Sequence, residues 1–127
     1  MEKACLIGCS VLVVEDEPLI ALDIVEQFRQ AGACVFTAHH LRDGLRLASH
    51  PDLSAAVVDF GLQDGDGALL CQRLQEHGIP FVLHSGYSHL PDACRAGVVI
   101  TKPASPTALV AAVARLLQPA EAAKCAV

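Results

Sequence analysis

At 127 residues, 53% of them hydrophobic and 18% charged, the chain has the size and composition of one compact domain with a buried core, which excludes disorder. Fourteen acids against nine lysines and arginines leave a net charge of −5, and with no basic stripe to release counterions a nucleic-acid partner is excluded. No apolar run is long enough to span a bilayer, and although Leu6-Ile7-Gly8-Cys9 is similar to a lipobox, only eight residues precede Cys9, Glu2 among them, too few for a signal peptide. A cytoplasmic protein without a membrane partner is expected.

From the N-terminus, the apolar run 11–14 reads as a short buried strand. Residues 18–30 then place Ile20, Ile24 and Phe28 four apart, widened by Val25, as the inward face of a helix. Pro18 suits its first turn and Gly32 its C′ position. Residues 34–38 read as a second strand and 41–49 as a short helix stopped by Pro51. The third strand, 55–59, is apolar up to Asp59, as a strand buried on both faces should be.

Asp64-Gly65-Asp66-Gly67 makes a turn and cap before a helix over 68–77, with Leu70, Leu74 and His77 on one side and Gly78 after it. Residues 79–84 form the fourth strand. The stretch 87–96, broken by Pro91, has room for only a short or mobile helix. Residues 98–101 are the fifth strand. Ser105 then caps and Pro106 opens a last helix with Leu109, Val113 and Leu116 as its stripe, ending at Pro119. The expected division is an N-terminal extension over 1–9, one domain over 10–118 and a frayed tail over 119–127.

The six cysteines, Cys5, Cys9, Cys34, Cys71, Cys94 and Cys125, contain no C-x-x-C pair, so neither a zinc site nor a disulfide framework is read from them. Cys34 and Cys71 sit in apolar segments as small hydrophobes. The six histidines are scattered, and the His39-His40 pair at a strand end reads as solvated or capping.

Strands alternating with helices imply a doubly wound α/β sheet, and the flavodoxin-like (βα)5 order 2-1-3-4-5 of five parallel strands is the simplest solution at this length. Ligands of such sheets bind beyond the strand C-termini, at the switch point between the first and third strands. Those two strands run into Glu15, Asp16 and Asp59, while the fourth ends at Ser85 and the fifth at Lys102. Singly, Asp59 reads as a loop acid, Lys102 as a solvated lysine and Ser85 as a turn residue. It is their coincidence at four strand ends that points to a site. Three crowded carboxylates call for raised pKa values or a bound cation; an all-oxygen donor set selects Mg²⁺, Ca²⁺ or Mn²⁺, and one or two carboxylates with a phosphate oxygen are the usual setting of Mg²⁺. With the metal, Asp59 is a nucleophile toward phosphorus, and Lys102 and Ser85 stand ready for the phosphoryl oxygens.

These motifs, Val11-Leu12-Val13-Val14-Glu15-Asp16-Glu17-Pro18, Val57-Val58-Asp59 with Gly67, Ser85, and Thr101-Lys102-Pro103, resemble the receiver domain of bacterial response regulators over roughly residues 10–118. The resemblance implies that Asp59 accepts a phosphoryl group, that Asp16, Asp59, Glu15 through water and the Gly61 carbonyl hold Mg²⁺, and that Lys102 precedes a cis peptide at Pro103. It also implies that Ser85 is the switch hydroxyl. Two departures stand out: Glu15 replaces the commoner Asp, and Val99 occupies the position of the family's aromatic switch. Pro80-Phe81-Val82-Leu83-His84-Ser85-Gly86-Tyr87 is similar to the signature of the atypical FAT GUY receivers of alphaproteobacteria, departing at Leu83 and His84, which makes Tyr87 the switch candidate in place of Val99.

The resemblance implies a single-domain response regulator of a two-component phosphorelay, a phosphoacceptor and not an enzyme. Its partners would be a sensor histidine kinase and either a histidine phosphotransferase or a downstream target, with output by protein contacts, relay or phosphate-sink action. The competing reading is a pseudo-receiver, an interaction module working without phosphorylation. A flavin-nucleotide binder is excluded because Glu15-Asp16-Glu17 would repel phosphate. A haloacid-dehalogenase-type phosphatase is excluded because Gly61 stands where its second Asp is needed.

Overall fold

The computed structural model describes residues 5–59, 67–86, 97–102 and 104–117. Within them lie β1 (Ser10–Val14), α1 (Pro18–Gln30), β2 (Cys34–Ala38), α2 (Leu41–Leu47), β3 (Ala55–Asp59), α3 (Ala68–Glu76), β4 (Phe81–Ser85), β5 (Val98–Thr101) and α4 (Pro106–Leu117). The five strands form one parallel sheet in the order β2-β1-β3-β4-β5. This is the doubly wound order expected from the sequence, with the switch point between β1 and β3. The expected helical stretch 87–96, like Pro103, Gly61 and Tyr87, lies outside the described residues.

Alternation along the strands divides the core into two layers. Val11, Val13, Val57 and Val82 face Ile24, Val25 and Phe28 of α1 and Leu109, Val110 and Val113 of α4. Leu12, Val14, Val58, Phe81 and Leu83 face Leu70, Cys71 and Leu74 of α3, with Ala48 beyond α2. β1 is buried from Val11 onward and β3 throughout, as apolar strands covered on both faces must be. The chain before β1 joins the first layer: Leu6 is buried and its N–H donates to the Ala31 carbonyl at 2.8 Å.

The helix ends follow their local chemistry. Pro18 opens α1, and Gly32 follows its C-terminus at φ +98°, where a Cβ would come within 2.5 Å of Ile7 Cγ1. Ser105 Oγ accepts from the Ala108 N–H at 3.1 Å, the capping bond of α4.

Four sequence expectations need correction. Ile20 is 46% exposed, because the inward stripe of α1 runs through Ala21, Ile24, Val25 and Phe28. His77 is exposed beyond the end of α3, and Cys71 takes the inward place beside Leu70 and Leu74. Cys34 is exposed because it opens the edge strand β2. β4 starts at Phe81, not residue 79: the Ile79 N–H closes the end of α3 on the Leu74 carbonyl at 2.9 Å, and Pro80 has no N–H for a ladder.

Candidate functional site

The C-terminal edge of the sheet gathers the predicted residues. Glu15 directly follows β1 and is 2% exposed, and Asp59 ends β3 at 4%. One carboxylate oxygen from each of Glu15, Asp16 and Asp59 falls within 4.8 Å of the others, the one such cluster of possible metal ligands among the described residues. From the far side Lys102 Nζ donates to Asp59 Oδ1 at 2.5 Å. This charge-assisted bond sets the lysine on the acid it was expected to serve.

Backbone contacts hold this group in place. The Glu15 N–H donates to the Ala38 carbonyl at 2.9 Å, tying the end of β1 to the end of β2. The Glu17 N–H donates to Glu15 Oε2 at 3.2 Å, turning that side chain back toward the pocket. His39 Nδ1 lies 3.0 Å from the Glu15 carbonyl oxygen, and since a carbonyl only accepts, His39 must carry its proton on Nδ1. The Lys102 N–H donates to the Ser85 carbonyl at 2.8 Å, joining the ends of β4 and β5. Ser85 itself is fully buried at the end of β4.

The electrostatics follow from this crowding. Burial, with further contributions from Asp59 and Asp16, pushes the Glu15 carboxyl up to about 8, while the Glu17 N–H works in the opposite direction. The metal-free pocket therefore favours the protonated form of Glu15. A divalent cation offers the other solution to the same crowding, and three convergent oxygens with no nitrogen or sulfur among them fit a hard ion such as Mg²⁺ or Mn²⁺.

Sequence reasoning thus located Glu15, Asp16, Asp59, Ser85 and Lys102, and the structure brings all five to one edge. Val99 is 43% exposed on β5, opposite Leu83. Two histidines passed over in the sequence belong to the neighbourhood. His39 supports Glu15 as described. His84, the cross-strand neighbour of Asp59, is buried, and among the described residues neither ring nitrogen has a partner. Its alternation with Val82 and Leu83 was the available signal: a His inside an apolar strand has to be buried.

The family model described as response regulator receiver domain matches residues 11–114. A CheY-like response regulator receiver domain protein from Methanospirillum hungatei JF-1 superposes with a TM-score of 0.78 at 22% identity, covering 91% of this chain and 98% of that one. DrrB of Thermotoga maritima, an OmpR/PhoB homolog, gives 0.73 at 26% identity over 88% of this chain and 54% of its own. The BeF3-activated DrrB receiver domain gives 0.72 at 25% identity over 89% and 100%. In sequence, the chain is 30% identical over 86 residues to the sensor protein TorS of Escherichia coli (strain K12), which is 67% of this chain and only 9% of TorS.

Proposed function

We propose that this chain, which belongs to the response regulator receiver domain family, takes a phosphoryl group onto Asp59 and signals through that modification. The observation that carries the reading is the Lys102–Asp59 pair inside the cluster of Glu15, Asp16 and Asp59. It gives one carboxylate both a metal-binding side and a fixed ammonium.

The Asp59 oxygen not bound to Lys102 attacks phosphorus, and the bond from phosphorus to the donor's leaving atom breaks. For a kinase phosphohistidine that leaving atom is an imidazole nitrogen, which departs with the bonding pair and takes up a proton. Lys102 holds Asp59 in place and offers its remaining N–H groups to the phosphoryl oxygens. Ser85, one residue beyond the cross-strand partner of Asp59, supplies the hydroxyl that closes on the new group. Glu15, Asp16 and Asp59 would hold Mg²⁺, the family resemblance adding the Gly61 carbonyl, and the ion would supply positive charge to offset the negative charge gathering on the phosphoryl oxygens.

The partners proposed are a sensor histidine kinase and, after phosphorylation, a histidine phosphotransferase or a target protein. The work is that of a phosphoacceptor with no substrate turned over for release. Likeness to the FAT GUY receivers, carried by Pro80 to Tyr87, makes Tyr87 the switch residue in this proposal. Because Val99 is small and exposed, it cannot swing an aromatic ring inward.

The test is intact-mass measurement after incubation with acetyl phosphate or phosphoramidate and Mg²⁺, beside Asp59→Asn. One added phosphoryl group, absent without Mg²⁺ and in the variant, is expected. If neither small donors nor a phosphorylated kinase produced an adduct, the chain would be a phosphorylation-independent interaction module.

A further inference from the structure

The phosphoryl chemistry leaves His84 unused, although it is among the few polar side chains buried in the sheet. It is 6% exposed, and neither ring nitrogen finds a partner among the described residues. An orphaned imidazole in the interior is costly and calls for an explanation, a bound partner at that position being one. Alternation along β4 places His84 on the same face as Val82, the layer covered by α1 and α4. There it lines a cleft of about 310 Å³ together with Ile20, Asp23 and Ile24 of α1, Ala104 and Pro106 at the start of α4, and Glu15 and Lys102.

We propose that this cleft binds a small uncharged hydroxyaromatic molecule of the phenol class, with its ring between α1 and the start of α4 and its hydroxyl paired with His84. The volume lies at the lower end of the range for small-molecule pockets, enough for one or two rings. Ile20, Ile24, Ala104 and Pro106 supply apolar walls for a flat ring. The polar wall favours a neutral ligand: Lys102 and Asp23, both lining the cleft, oppose each other in sign.

Burial first, and the Lys102 charge second, push the His84 imidazole down from its ordinary value, against the pull of Asp59. A neutral imidazole offers one donor and one acceptor, and a hydroxyl complements either tautomer. His84 lines the cleft while both of its ring nitrogens are buried without a partner among the described residues, so pairing a ligand hydroxyl with one of them requires the ring to turn about its second torsion.

Phenol itself is the probe, titrated into the metal-free full chain without any phosphodonor while the His84 ring nitrogens are followed by long-range ¹H–¹⁵N spectroscopy. A saturable shift with a midpoint in roughly the millimolar range is expected for a ligand of this size. Fluorobenzene, of the same shape but without the hydroxyl, should bind about tenfold more weakly, and His84→Leu should erase that difference. Ala104→Trp, which fills the cleft from its rim and leaves His84 in place, should weaken phenol binding about tenfold. No saturable movement of the His84 nitrogens, or equal affinities for phenol and fluorobenzene in the unaltered chain, would overturn the proposal. Since no phosphoryl group takes part, either result leaves the reading of Asp59 as it stands.

Discussion

The two halves of the phosphoryl site are built on different ground. The acids stand on β1 and β3, the central strands, which are buried from Val11 to Glu15 and from Ala55 to Asp59. Lys102 directly follows β5, an edge strand whose Val98 and Val99 are 38% and 43% exposed. The carboxylates are thus fixed by a core that cannot yield without losing stability. The ammonium is carried by a strand with little packing of its own, secured at its tip by Asp59 and by the Ser85 carbonyl. A site that must bind a rigid ion and then respond to a new group is well served by one immovable side and one lightly held side.

The largest test of this contrast is a pair of truncations. Leu12→Ala removes a fully buried side chain from β1 and should cost about 2–5 kcal/mol in denaturant unfolding. Val99→Ala on β5 should stay within about 0.5 kcal/mol. Comparable losses would mean that β5 is as tightly packed as the centre and would end the distinction.

Lys102→Ala comes next. It removes the Asp59 partner while leaving the acid cluster on its strands, so Mg²⁺ binding should survive while phosphorylation by a small donor slows by about a hundredfold or more. An unchanged rate would show that the ammonium only neutralises Asp59 at rest.

A smaller effect is expected at Gly97, just before β5. A Cβ there would lie within 2.5 Å of Phe81 Cδ2 and 2.9 Å of the Phe81 carbonyl oxygen. β5 therefore enters the sheet through a contact only glycine permits, and Gly97→Ala should cost about 1–3 kcal/mol by forcing the strand aside. Because Lys102 rides on that strand, phosphorylation should slow in the same variant. Lost stability with an unchanged phosphorylation rate would show that the position of Lys102 does not depend on β5.

The central half was also the more legible in the sequence. Continuous apolar runs closed by an acid leave little choice for β1 and β3, and both ended where expected, with their acids together. The margins were harder to read because their burial depends on what lies beside them. Ile20 has the spacing of a core residue, yet it falls on the first turn of α1 and borders a cleft. Cys34 lies in an apolar run but opens an edge strand. Leu6 precedes every recognisable element and is nonetheless sealed into the core through the Ala31 carbonyl. The partners of His39 and His84 depend on strand register and helix placement, which no local pattern carries.

The smallest predicted effect concerns the proton on Glu15 and probes the rigid half directly. In the unfolded chain this carboxyl loses its proton near 4.5, whereas in the folded, metal-free chain it keeps it to about 8. Between those values the folded state binds the extra proton, so the stability it contributes is complete below the lower value and is lost as pH rises toward the upper one. Mg²⁺ binding needs the ionised carboxylate and must expel that proton, so affinity should rise about tenfold per pH unit until about pH 8 and then level off. Calorimetry at pH 6.5 and 7.5 in two buffers of different ionisation enthalpy would measure both the affinity and the proton released. In Glu15→Gln the pH dependence should vanish and the metal-free chain should become no less stable, because the amide keeps the shape of the protonated acid without its charge. A flat affinity profile in the unaltered chain would mean that the pocket already holds Glu15 ionised, and that β1 and β3 tolerate three charges which their burial should not allow.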